Sequence, residues 1–205
     1  MSNFELIIGL IAGALIIASQ FVFIIKIWKG KVTPSLFSWL GWAVLIGQSF
    51  FAQYAESGWE WALVGIGISA LGCLLISLTA LIKRNFSLRK VDWIYLLLGI
   101  ACVFIQLIFK SAFITTVFAM IADFILGIPT FIKTYENPKS ESKAPWLLSL
   151  TSWTLTMTIA YDRGIEIWIF PLYLLLFCAI MLMLIFRKPK RKTNSSVDLT
   201  YLKSD

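Results

Sequence analysis

The sequence predicts an all-α polytopic membrane protein with seven transmembrane helices. Three observations carry that expectation. Of its residues, 59% are hydrophobic and 14% charged, with mean hydropathy +0.84, against roughly 45–50% and about 25% in an ordinary soluble domain. A chain of 205 residues has no interior large enough to hide that excess, so lipid must be the solvent for much of it. The apolar residues also gather into runs near the length of a bilayer crossing, about 20 residues at about 1.5 Å each, and the basic residues stand at the ends of those runs.

Seven runs qualify: 4–28, 36–55, 59–82, 93–109, 112–132, 146–161 and 165–186. The first has no basic stretch before it, is too long for the core of a cleaved signal and shows no cleavage site, so it reads as a retained helix. The connections are short except 134–144 (TYENPKSESKA), which is polar enough to form a loop. The basic tail, 187–205, is expected to be cytoplasmic and without fixed structure.

Orientation follows from charge. Sixteen of the 18 lysines and arginines follow the first, third, fifth or seventh run; only Lys110 and Arg163 fall on the other face. The bias puts the N-terminus outside and the C-terminus in the cytoplasm. Glu5, Glu56, Glu60, Asp162 and Glu166 gather on the opposite face, and Trp28 and Trp93 on one side with Trp59, Trp61 and Trp168 on the other fit two aromatic belts. The small size suits a bacterial inner membrane.

The net charge of +7 would also suit nucleic acid, but no basic face with interleaved aromatics exists to bind it. RKPKRK (187–192) reads as a topology anchor that can also attract anionic lipid. Cys73, Cys102 and Cys178 lie inside apolar runs without metal-ligand spacing, and histidine is absent. No metal, cofactor or disulfide framework is therefore expected. There is no paired acid motif within the runs, no Gly-rich phosphate loop and no Ser or Cys with a base at useful spacing, so no enzyme is expected either.

The chain repeats itself. PSLFSWLGW (34–42) aligns without a gap on PWLLSLTSW (145–153), matching Pro34 to Pro145, Leu36 to Leu147, Ser38 to Ser149 and Trp42 to Trp153. Upstream, the segment from Phe23 to Lys26 resembles that from Phe131 to Lys133. Residues 1–83 then form a first three-helix repeat, 84–110 a linker span and 111–186 a second repeat. Three spans reverse the chain's direction across the membrane, and a spare fourth lets the second triple start on the same side. The repeats are then parallel, related by an axis along the membrane normal, with a cavity between them.

This 3+1+3 order resembles the SWEET sugar transporters and the wider PQ-loop superfamily. Pro129 four residues before Lys133, a short basic loop and a Ser-containing helix start resemble the PQ-loop repeat. The resemblance implies two parallel triples around a solute site and, more distantly, a sugar-like substrate. No Pro-Gln dipeptide occurs, and 59–82 and 165–186 lack the Asn that SWEET proteins place at the sugar.

Several residues are candidates for that site. Asp123 is the only acid deep within an apolar run, ten residues and roughly 15 Å from Lys133. A carboxylate there costs about 2.5–3.5 kcal/mol or more and normally faces a partner or a wet cavity. It reads as a substrate acceptor or a protonatable coupling site, against a protonated acid held by a neighbouring Ser, Thr or Gln. Trp42 and Trp153, as repeat mates below the interfacial belt, read as opposite walls of a site or as packing within each triple. Gln20, Gln48 and Gln106 are amides inside apolar runs, fit for interhelix bonds or a cavity wall, with Gln20 the best placed. Thr151, Thr154 and Thr158 share one helical stripe and line a pore or bond back to their own helix. Pro129 and Pro171 read as kinks or hinges. Two functions fit: a carrier of a small polar solute by alternating access, or a non-transporting receptor or assembly protein on the same fold, as in the KDEL-receptor branch. Oligomerisation is left open.

Overall fold

The computed structural model describes residues 3–87 and 111–187, with six single positions between them: Trp93, Leu97, Ile100, Ala101, Phe104 and Ile108. Among the described residues it is all-α. Its helices are α1 (Asn3–Trp28), α2 (Leu36–Ser57), α3 (Leu63–Lys83), α4 (Ala112–Glu136), α5 (Lys143–Ala160) and α6 (Ile165–Phe186), with a 3-10 turn at Pro138–Ser140. Four segments, Asn3–Trp28, Leu63–Lys83, Phe113–Glu136 and Ile165–Phe186, are long and apolar enough to cross a membrane. The sequence predicts seven such spans. The fourth, 93–109, lies outside the described residues apart from the six single positions, which are helical and exposed. The tail beyond Arg187 and Gln106 lie outside as well. The α2 and α5 helices form but are less apolar, because Gln48, Ser49 and Gln53 dilute one and six hydroxyl residues between Ser149 and Thr158 dilute the other.

The ends of the helices follow local chemistry. Gly58, at φ +75°, closes α2 in the left-handed half of backbone space and sends its N–H to the Tyr54 carbonyl. The turn after it delays α3 to Leu63, four residues later than the apolar run suggests. The polar segment 134–144 is mostly not a loop. The α4 helix runs on to Glu136, and α5 starts at Lys143 with Pro145 in its first turn, where the absent N–H would have had no helical partner. Asn85 staples the α1–α2 connection to the end of α3: its amide donates to the Ile27 and Val32 carbonyls at 3.2 and 3.0 Å and its oxygen accepts from Thr33 at 3.0 Å.

The helices pack as a closed ring. The α3 helix lies against both α1 and α2, and α6 against both α4 and α5. Two seams join these units, α1 on α5 and α2 on α4. Exchanging α1, α2, α3 for α4, α5, α6 leaves the main pattern of neighbours unchanged, with a slight contact of α3 on α5 standing outside it. Small residues let the backbones close up. A Cβ on Gly9 would stand 2.9 Å from the Trp61 carbonyl oxygen, and one on Gly41 would meet the Leu126 side chain. The C-terminal ends of α1, α3, α4 and α6 bring Lys26, Lys83, Lys133 and Arg187 to one end of the ring, the basic end. Glu5, Glu60, Asp162 and Glu166 lie at the other, the acidic end.

Candidate functional site

All six helices turn residues toward a cavity of about 80 Å³ at the middle of the ring. The α1 helix presents Ile16, Ser19, Gln20 and Phe23, spaced as one helical face, and α2 presents Trp39, Trp42 and Ile46 in the same way. The α5 helix contributes Trp146, Ser149 and Trp153, and α4 contributes Asp123. Trp153 reaches across to α3, where a Cβ on Gly65 would stand 3.3 Å from its ring. A side chain there would make the indole give way by a few tenths of an ångström.

Asp123 is 2% exposed. Its Oδ2 accepts from the Tyr173 hydroxyl of α6 at 2.6 Å, while Oδ1 has no hydrogen-bond partner among the described residues. Among the described residues no Lys or Arg lines the cavity. A polar group left unpaired in such an interior costs about 1–3 kcal/mol, and more when charged. Trp42, 4% exposed, donates Nε1–H to the Asp123 carbonyl oxygen at 3.1 Å and stands edge-on to Trp39 and Phe177, at 5.1 and 5.7 Å between ring centres.

Several other polar groups of the wall are already engaged. Ser19 donates to the Pro145 carbonyl at 2.8 Å and accepts from Ser149 at 2.8 Å. The Gln20 amide donates to the Ser69 carbonyl at 3.1 Å, lying in the space that a side chain on Gly72 would fill. Ser38, the sequence mate of Ser149, donates to the Leu126 carbonyl at 2.7 Å. The two aligned serines thus sit at the two seams.

Of the candidate residues, Asp123, Trp42, Trp153 and Gln20 meet at this cavity. Thr154 does not. It is exposed and its hydroxyl bonds back to the Leu150 carbonyl at 2.8 Å. Thr151 and Thr158 are also exposed and bond to Leu147 and Leu155. The inward face of α5 is the one through Trp146, Ser149 and Trp153, since a threonine can satisfy its hydroxyl on its own helix and an indole needs room in the interior. Pro129 and Pro171 lie buried within α4 and α6, and both helices continue past them. The α2 amide Gln48 is absent from the wall, and its Oε1 is buried without a partner among the described residues.

Sequence reasoning missed Tyr173, although it is the only hydroxyl in 165–186 and a buried acid requires a donor. It also missed the ties at the two ends. At the basic end, Lys133 pairs with Glu141 at 2.6 Å and donates to the Thr33 carbonyl at 3.1 Å. Glu141, its side chain 1% exposed, also accepts from Trp146 Nε1 at 3.3 Å. Lys26 donates to Ser142, and Arg187 lies over the Tyr135 ring and donates to its carbonyl. At the acidic end, Arg163 pairs with Glu5, with Glu60 at 3.6 Å and with Asp162 at 3.8 Å. Partial burial works against the Arg163 charge, but Glu60, Glu5 and Asp162 outweigh it and hold the guanidinium above its ordinary pKa. These ties join α1 to the 3-10 turn region and to the α2–α3 and α5–α6 connections.

Comparison with models of protein families, with characterised proteins and with solved structures returns no match.

Proposed function

We propose that the chain is a membrane carrier for a small polar solute, held in the central cavity and released by rocking of two parallel three-helix units, 1–83 and 111–186, joined by a seventh span within 84–110. The observation that carries this reading is the cavity itself: six helices close around one carboxylate oxygen without a partner among the described residues, and side-chain ties bridge the ring at both ends. The symmetric pattern of neighbours supports the repeat, as do Ser38 and Ser149 at equivalent seams. Charge supports an orientation with the basic end and C-terminus in the cytoplasm and the N-terminus outside. The likeness to SWEET and PQ-loop carriers rests on this 3+1+3 order. Opening either side requires one set of ties to break. Pro129 and Pro171 each remove a helical hydrogen bond, which lowers the cost of bending there.

The test is uptake into proteoliposomes over sugars, amines, amino acids and vitamins, with and without a pH gradient. Uptake of one class, lost in the Trp42→Ala/Trp153→Ala protein, is the expected result. A folded, correctly inserted protein that moves none of them removes the carrier reading and leaves that of a receptor or assembly protein.

A further inference from the structure

We infer that the cavity receives a small organic cation, an amine or a quaternary ammonium head, with Asp123 as its counter-charge and the surrounding rings as its box. The inference deepens the carrier reading and rests on its assignment of the cavity as the solute site.

The walls decide the chemistry. Among the described residues Asp123 carries the only carboxylate of the cavity, and its Oδ1 is unsatisfied. With no cationic side chain among the described residues of the wall, a counter-charge to an ionised Asp123 would come with the solute. Around it stand Phe23, Trp39, Trp42, Trp146, Trp153 and Phe177. The ring centres of Phe23 and Trp39 are 4.7 Å apart, and those of Trp146 and Phe177 6.0 Å. Aromatic faces carry negative potential and attract a poorly hydrated cation. Trp42 is fastened to the Asp123 backbone, so part of the box is fixed with respect to the charge.

A sugar asks for something else. Each of its hydroxyls needs a partner once water is excluded, yet Ser19 and Ser149 bond each other, the Gln20 amide is held by Ser69 and Asp123 Oδ2 by Tyr173. An alkylammonium ion has few hydrogen bonds to satisfy and can use the Asp123 Oδ1 that no described residue engages, together with the aromatic faces of the wall. The volume of about 80 Å³ lies below the roughly 300–1,000 Å³ of drug-sized sites and restricts the solute to a small one.

The test uses the purified full-length protein in detergent. Choline and the smaller methylammonium are titrated and read by intrinsic tryptophan fluorescence and by calorimetry. The controls are 3,3-dimethylbutan-1-ol, which has choline's shape without its charge, and glucose. Saturable binding of at least one cation is expected, with the neutral isostere at least tenfold weaker and glucose silent. Asp123→Asn should weaken cation binding at least tenfold. Trp153→Leu, which keeps an apolar side chain and removes the π face, should do the same and serves if the first variant does not fold. Equal binding of choline and its isostere, binding of glucose in place of the cations, or no cation binding to folded protein each overturns the inference. Uptake separates it from the carrier reading. Cation binding without uptake keeps the cation site and removes the carrier. Glucose uptake that depends on Trp42 and Trp153 keeps the carrier and removes the cation.

Discussion

The two ends of the ring are tied by the same kind of interaction in different surroundings. At the basic end the Glu141 side chain is 1% exposed, and both its oxygens are engaged, one by Lys133 and one by Trp146. Trp146 is also part of the cavity wall, so this tie is continuous with the site. At the acidic end Arg163 is 32% exposed, and Glu5 and Glu60 are 18% and 20% exposed. None of the three lines the cavity. Water can replace a partner at the acidic end and has little access to Glu141. An exposed ion pair is worth about 0–1 kcal/mol, whereas removing one partner of a buried pair costs several times more. Charge pairing is therefore more deeply buried at Glu141 than at Arg163, but the Glu141 pair lies within the second three-helix unit; across the units the basic end is held by Lys133 on the Thr33 carbonyl and Lys26 on Ser142.

The largest expected effect tests that asymmetry directly. Glu141→Ala leaves the Lys133 ammonium and the Trp146 N–H without their acceptor and should destabilise the protein by about 2–3 kcal/mol in denaturant unfolding. A loss no larger than that of Arg163→Ala would mean the burial difference has no energetic weight. Next come the seams. Ser149→Ala and Ser38→Ala each remove one interhelix hydrogen bond and should cost about 1 kcal/mol apiece. Unequal losses, differing by more than about 1 kcal/mol, would show that the two seams are not equivalent. Arg163→Ala should cost under about 1 kcal/mol and should raise the reactivity of a cysteine placed at Ser149 toward a reagent added on the acidic side. Unchanged labelling there would remove Arg163 from any gating role. The smallest effect is that of salt. Raising it from about 0.15 to about 1 M shortens the Debye length from about 8 to about 3 Å. A few tenths of a kcal/mol should be lost from the wild type, and nothing further from Arg163→Ala. The Arg163 contribution should be flat from neutral to mildly alkaline pH, where its carboxylate partners stay ionised. Its folded pKa is raised, so its stabilisation is complete below the unfolded value and is lost only as pH climbs through the folded one.

Much of this site is legible in the sequence, for uneven reasons. Asp123, Trp42, Trp153 and Gln20 stand out because a carboxylate, an indole or an amide is poorly suited to lipid at mid-depth, and each does line the cavity. Thr154 misleads because its hydroxyl can be satisfied by Leu150 on the same helix, so polarity says little about which way it faces. Tyr173 and Glu141 escape notice in the sequence because their importance lies in their partners. Tyr173 is 50 residues from Asp123, and nothing local shows that α6 lies beside α4. The polar stretch 134–144 reads as a loop by composition, but α4 extends into it and Glu141 is buried by contacts with Lys133 and Trp146.

The sequence by itself determined the class of solvent the chain needs, the positions of its apolar runs, the sorting of charge between two faces and the presence of one costly acid at mid-depth. These are properties of composition and spacing along a segment of about 20 residues, the scale on which hydropathy acts. Only the tertiary structure decided which helices are neighbours, which face of α5 turns inward, that Tyr173 holds Asp123 by one oxygen and leaves the other without a partner among the described residues, and that Glu141 is more deeply buried than the partners of Arg163. Those outcomes depend on how helices rotate and pack against partners far away in the chain. Side-chain volume and the pairing of buried polar groups set that arrangement, and neither is written in any one segment.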